Sequence, residues 1–452
     1  MFSKTKKFAG VMLAAAMIVT AFAGCGGGDT TGGEAGGEAG GKTEATQPAV
    51  EAISVDQMLA DAELALGPEG KDSPVTLKVW APADALDVFQ AQCDAFAKNF
   101  KDKGRDITIE VVQQGESDAA ANLMTDPNAA ADVFGFVSDN ASKLYPGGYV
   151  APVRTQYAKA IEESNIDGAI SVAKSNEGLV AFPETGDNGY IVYYNKSLIS
   201  EEEVKSLEGI MKVCNEKDKK FVMNLSNGFY GCVIPLTAGG TYELDADGAQ
   251  VLNYNKEETV KVAKAFSDLL AKDDAHFADD DVNKVLVSSL RNEKALAGVC
   301  GTWKLAAIKD ALGDNFACAK LPTIKIDGED KDIISMYGYK LLGVNKNTKY
   351  PYTSQALAYY LSGEKCQQER MDQLGWGPSI KALVEGEQAQ NDECLSAMYE
   401  QMEHSVPQIG LAGSFWDPTG AFGKYVLDEK GDLTEAGLGK AFDNMVTSIT
   451  AQ

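Results

Sequence analysis

Apolar and polar positions after residue 74 switch repeatedly between a period of two and a period near 3.6. VTLKVW (75–80) alternates as a half-buried strand does. LDVFQAQCDAFAKNFKDKG (86–104) sets its apolar residues three and four apart and stops at Gly104, which predicts a helix. DITIEVVQQ (106–114) predicts the next strand, 117–125 a helix, ADVFGFV (131–137) a short buried strand and 141–145 a helix. This β-α-β-α-β run is the pattern of a mostly parallel sheet with helices on both faces, whose ligands gather at the carboxyl ends of the strands.

The pattern then shifts. LVAFP (179–183), a turn-like ETGDNG and YIVYYN (190–195) read as one extended crossing with a break in it. Residues 201–335 make a second body with its own helices, one of them over 257–272. ISMYGYKLLGVN (334–345) reads as a second crossing and GWGPSIK (375–381) as a third. More than one strand between two lobes makes a hinge. The fold class is therefore α/β, with two discontinuous lobes joined by hinge strands. Ahead of this body, SVDQMLADAELALG (54–67) predicts an amphipathic helix with Ser54 as its N-cap.

The first 50 residues differ in kind. Lys4, Lys6 and Lys7 precede the uncharged apolar run 8–24, and the run ends in FAGC. A basic head, a short apolar stretch and small residues before a cut describe a secretory signal. FAGC resembles the lipobox of bacterial lipoproteins, which implies a lipidated Cys25 at the mature N-terminus. Residues 26–50 are Gly-rich and acidic, with almost nothing that packs, and read as a flexible tether. The expected division is signal 1–24; lipidated Cys, linker and short helix 25–73; lobe 1 from 74–186 and 338–380; lobe 2 from 187–337 and 381–452. The expected location is the outer face of the cell membrane, held by the lipid.

Charge narrows the partners. With 41 Lys and Arg against 66 Asp and Glu the chain carries −25, which argues against nucleic acid or a bare anionic surface. The seven other cysteines are scattered, without a CxxC pair, and read as small buried residues with room for one or two pairs. Only His276 and His404 are present, so neither a histidine metal site nor a catalytic triad is expected, and no cofactor. No G-x-x-x-x-G-K-[ST] loop occurs. DADG (245–248) resembles half a calcium loop but reads as a turn, because the remaining ligand spacing is missing.

LKVWAPAD, ADVFGFVSDN, VYYNKSLI, FVMNLSNGFY…IPLTAGG, AGVCGTWKLAAIK and VPQIGLAGSFW occur in this order. Together they resemble the extracellular solute-binding proteins of carbohydrate ABC importers, most closely the maltose/maltodextrin-binding proteins, from about Val75 to the C-terminus. The resemblance implies a monomer that captures an oligosaccharide and delivers it to a membrane ABC permease. A sugar needs aromatic plates for its C–H faces and acids or amides for its hydroxyl rim.

The resemblance assigns these roles along the chain. Asp84 and Glu116 fall on rim carboxylates, and Phe136 on an aromatic plate. Asp139 falls on a rim acid, and Asn140 replaces a base. In the first crossing the family acid falls on Asp187 counted from Pro183, or on Asn188 counted from Tyr194. Asn227 stands where a carboxylate is usual, beside Phe229 as a plate. Trp303 and Trp416 fall on stacking positions, with Asp417 beside the latter, and Trp376 lies in a loop near the cleft. Trp80, inside a strand, reads as core. Asp84 has an alternative as the cap of the helix opening at residue 85. Phe136 has one as core, and Glu116 and Asp139 have one as solvated surface acids. Two rivals remain at this level: a secreted glycosidase, which needs two carboxylates about 5–10 Å apart, and the same fold holding a peptide, a polyamine or another oligosaccharide.

Overall fold

The computed structural model describes residues 53–271, 276–282, 284–428 and 430–451. The signal, Cys25 and the Gly-rich tether lie outside the described residues.

The first lobe begins with strands β1 (Val75–Ala81), β2 (Ile107–Gln113), β3 (Val133–Val137) and β4 (Phe182–Asn188). In β1 the period of two buries Val75, Leu77, Val79 and Ala81 on one face. Helix α1 (Leu86–Lys101) lays Phe89, Cys93, Phe96 and Phe100 against the sheet. Helix α2 (Glu116–Thr125) follows β2. The second lobe is built on β5 (Tyr190–Asn195), β6 (Lys220–Val222), β7 (Phe277–Ala278), β8 (Ala295–Gly301) and β9 (Phe316–Ala319), in spatial order β7-β6-β8-β5-β9. Two later strands, β10 (Ser335–Val344) and β11 (Ser405–Pro407), return to the first sheet. That sheet runs β11-β10-β3-β1-β2, with β4 also paired to β10. β1 is parallel to both neighbours, whereas β10 runs antiparallel to β3 and β4.

Two hydrophobic cores correspond to the two sheets. One draws on residues between Ile53 and Phe182 and between Tyr339 and Trp376, the other on Tyr190 to Met336 and Cys394 to Ile449. The chain therefore passes between the cores three times, after Phe182, after Met336 and after Trp376.

ETGDNG differs from its turn-like reading. Its first five residues lie in β4, and all seven residues of that strand are buried. The break falls one residue later at Gly189, whose N–H donates to Asp187 O at 2.7 Å. Pairing with β10 satisfies a backbone that the composition alone assigns to a loop. The 54–67 helix is two short helices, Val55–Ala60 and Ala62–Leu66, the first capped by Ser54. The 257–272 helix is α-helical over Lys256–Phe266 and then widens into a π-turn. DADG is a hairpin turn, with Asp245 accepting the N–H groups of Asp247 and Ala249. The cysteines 93, 214, 232, 300, 318, 366 and 394 are buried thiols. Among the described residues, no helix is long and apolar enough to cross a membrane.

Candidate ligand-binding cleft

A cavity of about 640 Å³ opens between the lobes. Its second-lobe wall is aromatic. Phe229 sits on the short helix α3 (Gly228–Gly231), Trp303 in the turn after β8, and Trp416 at the start of the helix Trp416–Val426. (Here α4 denotes Glu364–Leu374 and α5 Trp416–Val426.) The Phe229 ring centroid lies 6.2 Å from that of Trp303 and 6.4 Å from that of Trp416. Glycine makes this possible: a Cβ on Gly228 would stand 2.2 Å from Trp416 O, so only a bare Cα lets α3 touch α5. Asn227 caps α3 by accepting the Phe229 N–H at 2.9 Å and lines the cavity. Asp417 stands exposed beside Trp416.

The first-lobe wall is polar and charged. Asp84 is exposed and caps no helix: the residues that open the turn at 83 and α1 make no side-chain cap bond. Instead its carboxylate accepts from Lys304 Nζ of the other lobe at 2.6 Å, a bridge across the cleft. Glu116, at the first turn of α2, pairs with Lys340 Nζ of β10 at 3.0 Å. Glu116 Oε1 is buried with no protein partner. Asp139 lies on the short turn after β3, accepting from Asn140 Nδ2 at 3.2 Å. Burial pushes the Asp139 carboxyl up to about 6, against Lys143 and the Trp416 indole, which favour its charge. Asn188 also lines the cavity and donates to Gln408 Oε1 at 3.0 Å.

Ten of the thirteen expected residues thus share one cavity: Asp84, Glu116, Asp139, Asn140, Asn188, Asn227, Phe229, Trp303, Trp416 and Asp417. Three do not. Phe136 is 0% exposed, packed on Phe134 and Tyr145. Phe134 and Phe136 share one face of β3, and it is the core face; Val137 reaches the cavity instead. Trp376 is 3% exposed. Gly375 ends α4 in the left-handed region, and the following indole lies inside, beneath Lys340 Nζ at 4.0 Å from its centroid. Asp187 is 2% exposed and accepts the Gly377 N–H at 2.7 Å, so it ties the first crossing to the third. Of the two counts through that crossing, the one that reaches the cavity is Asn188.

Sequence reasoning missed Lys340 and Lys304. Burial alone would pull the Lys340 ammonium down, but Glu116, Glu184 and Asp187 together more than reverse it, so it stays charged. Its signal was a lone lysine inside the apolar strand YGYKLLGV, where an unpaired charge is costly. Lys304 follows Trp303 directly, but its partner is visible only once the lobes face each other. A second cavity of about 660 Å³ lies beyond Ser138 and Asp139; its one ring, Tyr145, already spends its hydroxyl on Val172 O. Of these two cavities, the first is the one lined by Phe229, Trp303 and Trp416.

Comparison with known proteins agrees with this architecture. The galactooligosaccharide-binding protein of Bacillus subtilis (strain 168) is 23% identical over 384 residues, covering 80% of this chain and 86% of that one. A solved structure with acarbose superposes with a TM-score of 0.75 at 26% identity, over 84% of this chain and 99% of that one. The Thermus thermophilus maltotriose binding protein, bound with maltotriose, gives a TM-score of 0.69 at 18% identity, over 83% of this chain and 99% of that one. The family model of bacterial extracellular solute-binding proteins matches residues 95–397. This protein, with two lobes hinged around a ring-lined cleft, belongs to that family.

Proposed function

We propose that this protein captures an oligosaccharide of the maltodextrin class in the cleft and delivers it to an ABC permease. The observation that carries this reading is the cluster of Phe229, Trp303 and Trp416 on one wall, facing Asp84, Glu116 and Asp139 on the other, with Asn188 at the crossing between them. Flat rings match the C–H faces of pyranoses, and carboxylates and amides match their hydroxyls. Structural neighbours holding acarbose and maltotriose support the ligand class. A few stacked rings and charged-partner bonds reach about −8 kcal/mol after ordering costs, a micromolar affinity. Closure is driven by contacts better made in the closed form, and the Asp84–Lys304 bridge, which joins the two lobes, is the candidate contact.

The protein binds without cleaving. Glu116 is engaged by Lys340, and Asp84 by Lys304, which suits positioning of hydroxyls better than attack at a glycosidic bond. It acts as a monomer anchored through a lipidated Cys25, with lobe boundaries at 186/187, 337/338 and 380/381. These assignments rest on the sequence motifs and on the division of the two cores.

Calorimetry against maltose, maltotriose, maltotetraose, a galactooligosaccharide, xylobiose and spermidine tests the ligand. Heat with the glucans alone is expected. Heat with the galactooligosaccharide alone, the ligand class of the Bacillus relative, replaces the maltodextrin assignment. Chromatography of maltotetraose after incubation tests cleavage, and the sugar is expected intact.

A further inference from the structure

Beneath the cleft floor lies a titratable group that the ligand reading does not use. Glu184 of β4 is 1% exposed, and neither carboxylate oxygen has a hydrogen-bond partner. It sits on one crossing strand, and Lys340 sits on the other, β10, in register with Thr185. Gly135 of β3 lies between Glu184 and Glu116. A Cβ there would stand 3.2 Å from Glu116 Cγ, 3.7 Å from Glu116 Oε1 and 3.5 Å from Glu184 Oε2. The two carboxylates therefore share one small space, and a glycine keeps it open.

The charged groups around Glu184 are Glu116 from α2, Lys340 from β10, Asp187 from its own strand and Arg370 from α4. Arg370 is committed elsewhere, donating to Gln92 Oε1 at 2.9 Å and Leu361 O at 2.8 Å. Lys340 is committed to Glu116. With Glu184 neutral, Glu116 is balanced by Lys340 beside it, and Asp187, whose carboxyl burial also pushes up, is held by the Gly377 N–H. With Glu184 ionised, a third carboxylate enters a buried space with no bond to offer it. Burial first, and the Glu116 charge second, push the Glu184 carboxyl up to about 7.

Glu116 and Lys340 line the cavity, whereas Glu184 lies behind them. A ligand laid over the pair fills the solvent side of Glu116 and lowers the dielectric that screens it from Glu184. Their repulsion strengthens as that screening is lost. The ionised form of Glu184 is then less favourable with the cleft filled than with it empty.

We propose that Glu184 is a proton-binding site linked to the cleft, so that capturing the ligand draws in a proton and affinity falls as pH rises through neutrality. The inference rests on the oligosaccharide reading above. The linkage is reciprocal: whatever factor the ligand adds to proton affinity, the proton adds to ligand affinity. If a filled cleft raises proton affinity about tenfold, Kd weakens by up to about tenfold between pH 6 and pH 9.

The test is calorimetry of the full protein with maltotetraose between pH 6 and 9, in phosphate and in Tris, whose different ionisation enthalpies count the protons exchanged. Net uptake near pH 7 and a Kd that rises with pH are expected. Glu184→Gln should bind with a flat Kd and no uptake. Lys340→Met removes a cation that favours the charged form of Glu184, so the uptake should move to higher pH, whether or not Glu184→Gln folds; an unmoved profile counts against the inference. A flat wild-type Kd without proton exchange overturns the inference while leaving the ligand assignment intact, as does an unchanged slope in a folded Glu184→Gln. No binding of any oligosaccharide at any pH overturns the ligand assignment, and this inference with it.

Discussion

Replacing Trp303 by Ala removes one plate from the cleft and leaves the wall behind it. A tryptophan carries up to roughly 250 Å² of surface, of which one ring face is about a third, roughly 80 Å². Trp303 is half-buried against the second-lobe core, so one face is what it has to offer a ligand. At about 25 cal/mol per Å² that face is worth about 2 kcal/mol, or roughly 30-fold in Kd. Trp416 is half-buried in the same way and should lose a similar amount. Trp303→Phe keeps a flat ring and should recover most of the loss. The assay is calorimetry with maltotetraose on variants whose circular dichroism matches wild type. If Trp303→Ala and Trp416→Ala both keep Kd within twofold of wild type, the aromatic wall does not bind the sugar and the reasoning fails.

Other outcomes follow from named contacts. Lys304→Ala breaks the half-exposed bridge to Asp84. Such pairs are worth about 0.2–1 kcal/mol, so stopped-flow dissociation should speed up by a factor of about 1.5–5; an unchanged rate removes the bridge from the closed state. Glu184 binds its proton more tightly folded than unfolded, so its contribution to stability is full below about pH 4.5 and lost as pH rises to about 7. The difference, on the order of 3 kcal/mol, should appear as a steeper fall in urea stability between pH 5 and 8 for wild type than for Glu184→Gln; parallel profiles would contradict it. Arg370→Ala removes a fully buried guanidinium that bonds Gln92 and Leu361 O and lies over Phe89. It should cost on the order of 3–5 kcal/mol in urea unfolding, and a loss under 1 kcal/mol would mean the site refills.

The elements most legible in the sequence are those with one wet face. β1, α1 and β2 show their period because polar residues mark the solvent side, and their ends fall within a few residues of expectation. The ring cluster was legible because Trp303 and Trp416 stand among Gly, Thr, Asp and Pro, residues that keep a chain at the surface. Phe136 was not, because β3 is buried on both faces and no polar position reveals which of its rings point inward. β4 was hidden for the opposite reason: Glu, Thr, Gly, Asp and Asn compose a loop by type, and only pairing to β10, more than 140 residues later, makes them a strand. Trp376 read as a loop residue near the cleft, and its place beneath Lys340 follows only from the pairing of distant segments. Pairings of this kind join distant segments, and a local pattern cannot show them.

Intrinsic tryptophan fluorescence tests the cleft most directly, since two of the four tryptophans, Trp303 and Trp416, line it and the other two, Trp80 and Trp376, do not. Titration with maltotetraose should change the emission saturably, and the Trp303→Phe, Trp416→Phe double variant should lose that change. A silent wild-type titration, or a signal that persists in the double variant, would place the sugar elsewhere.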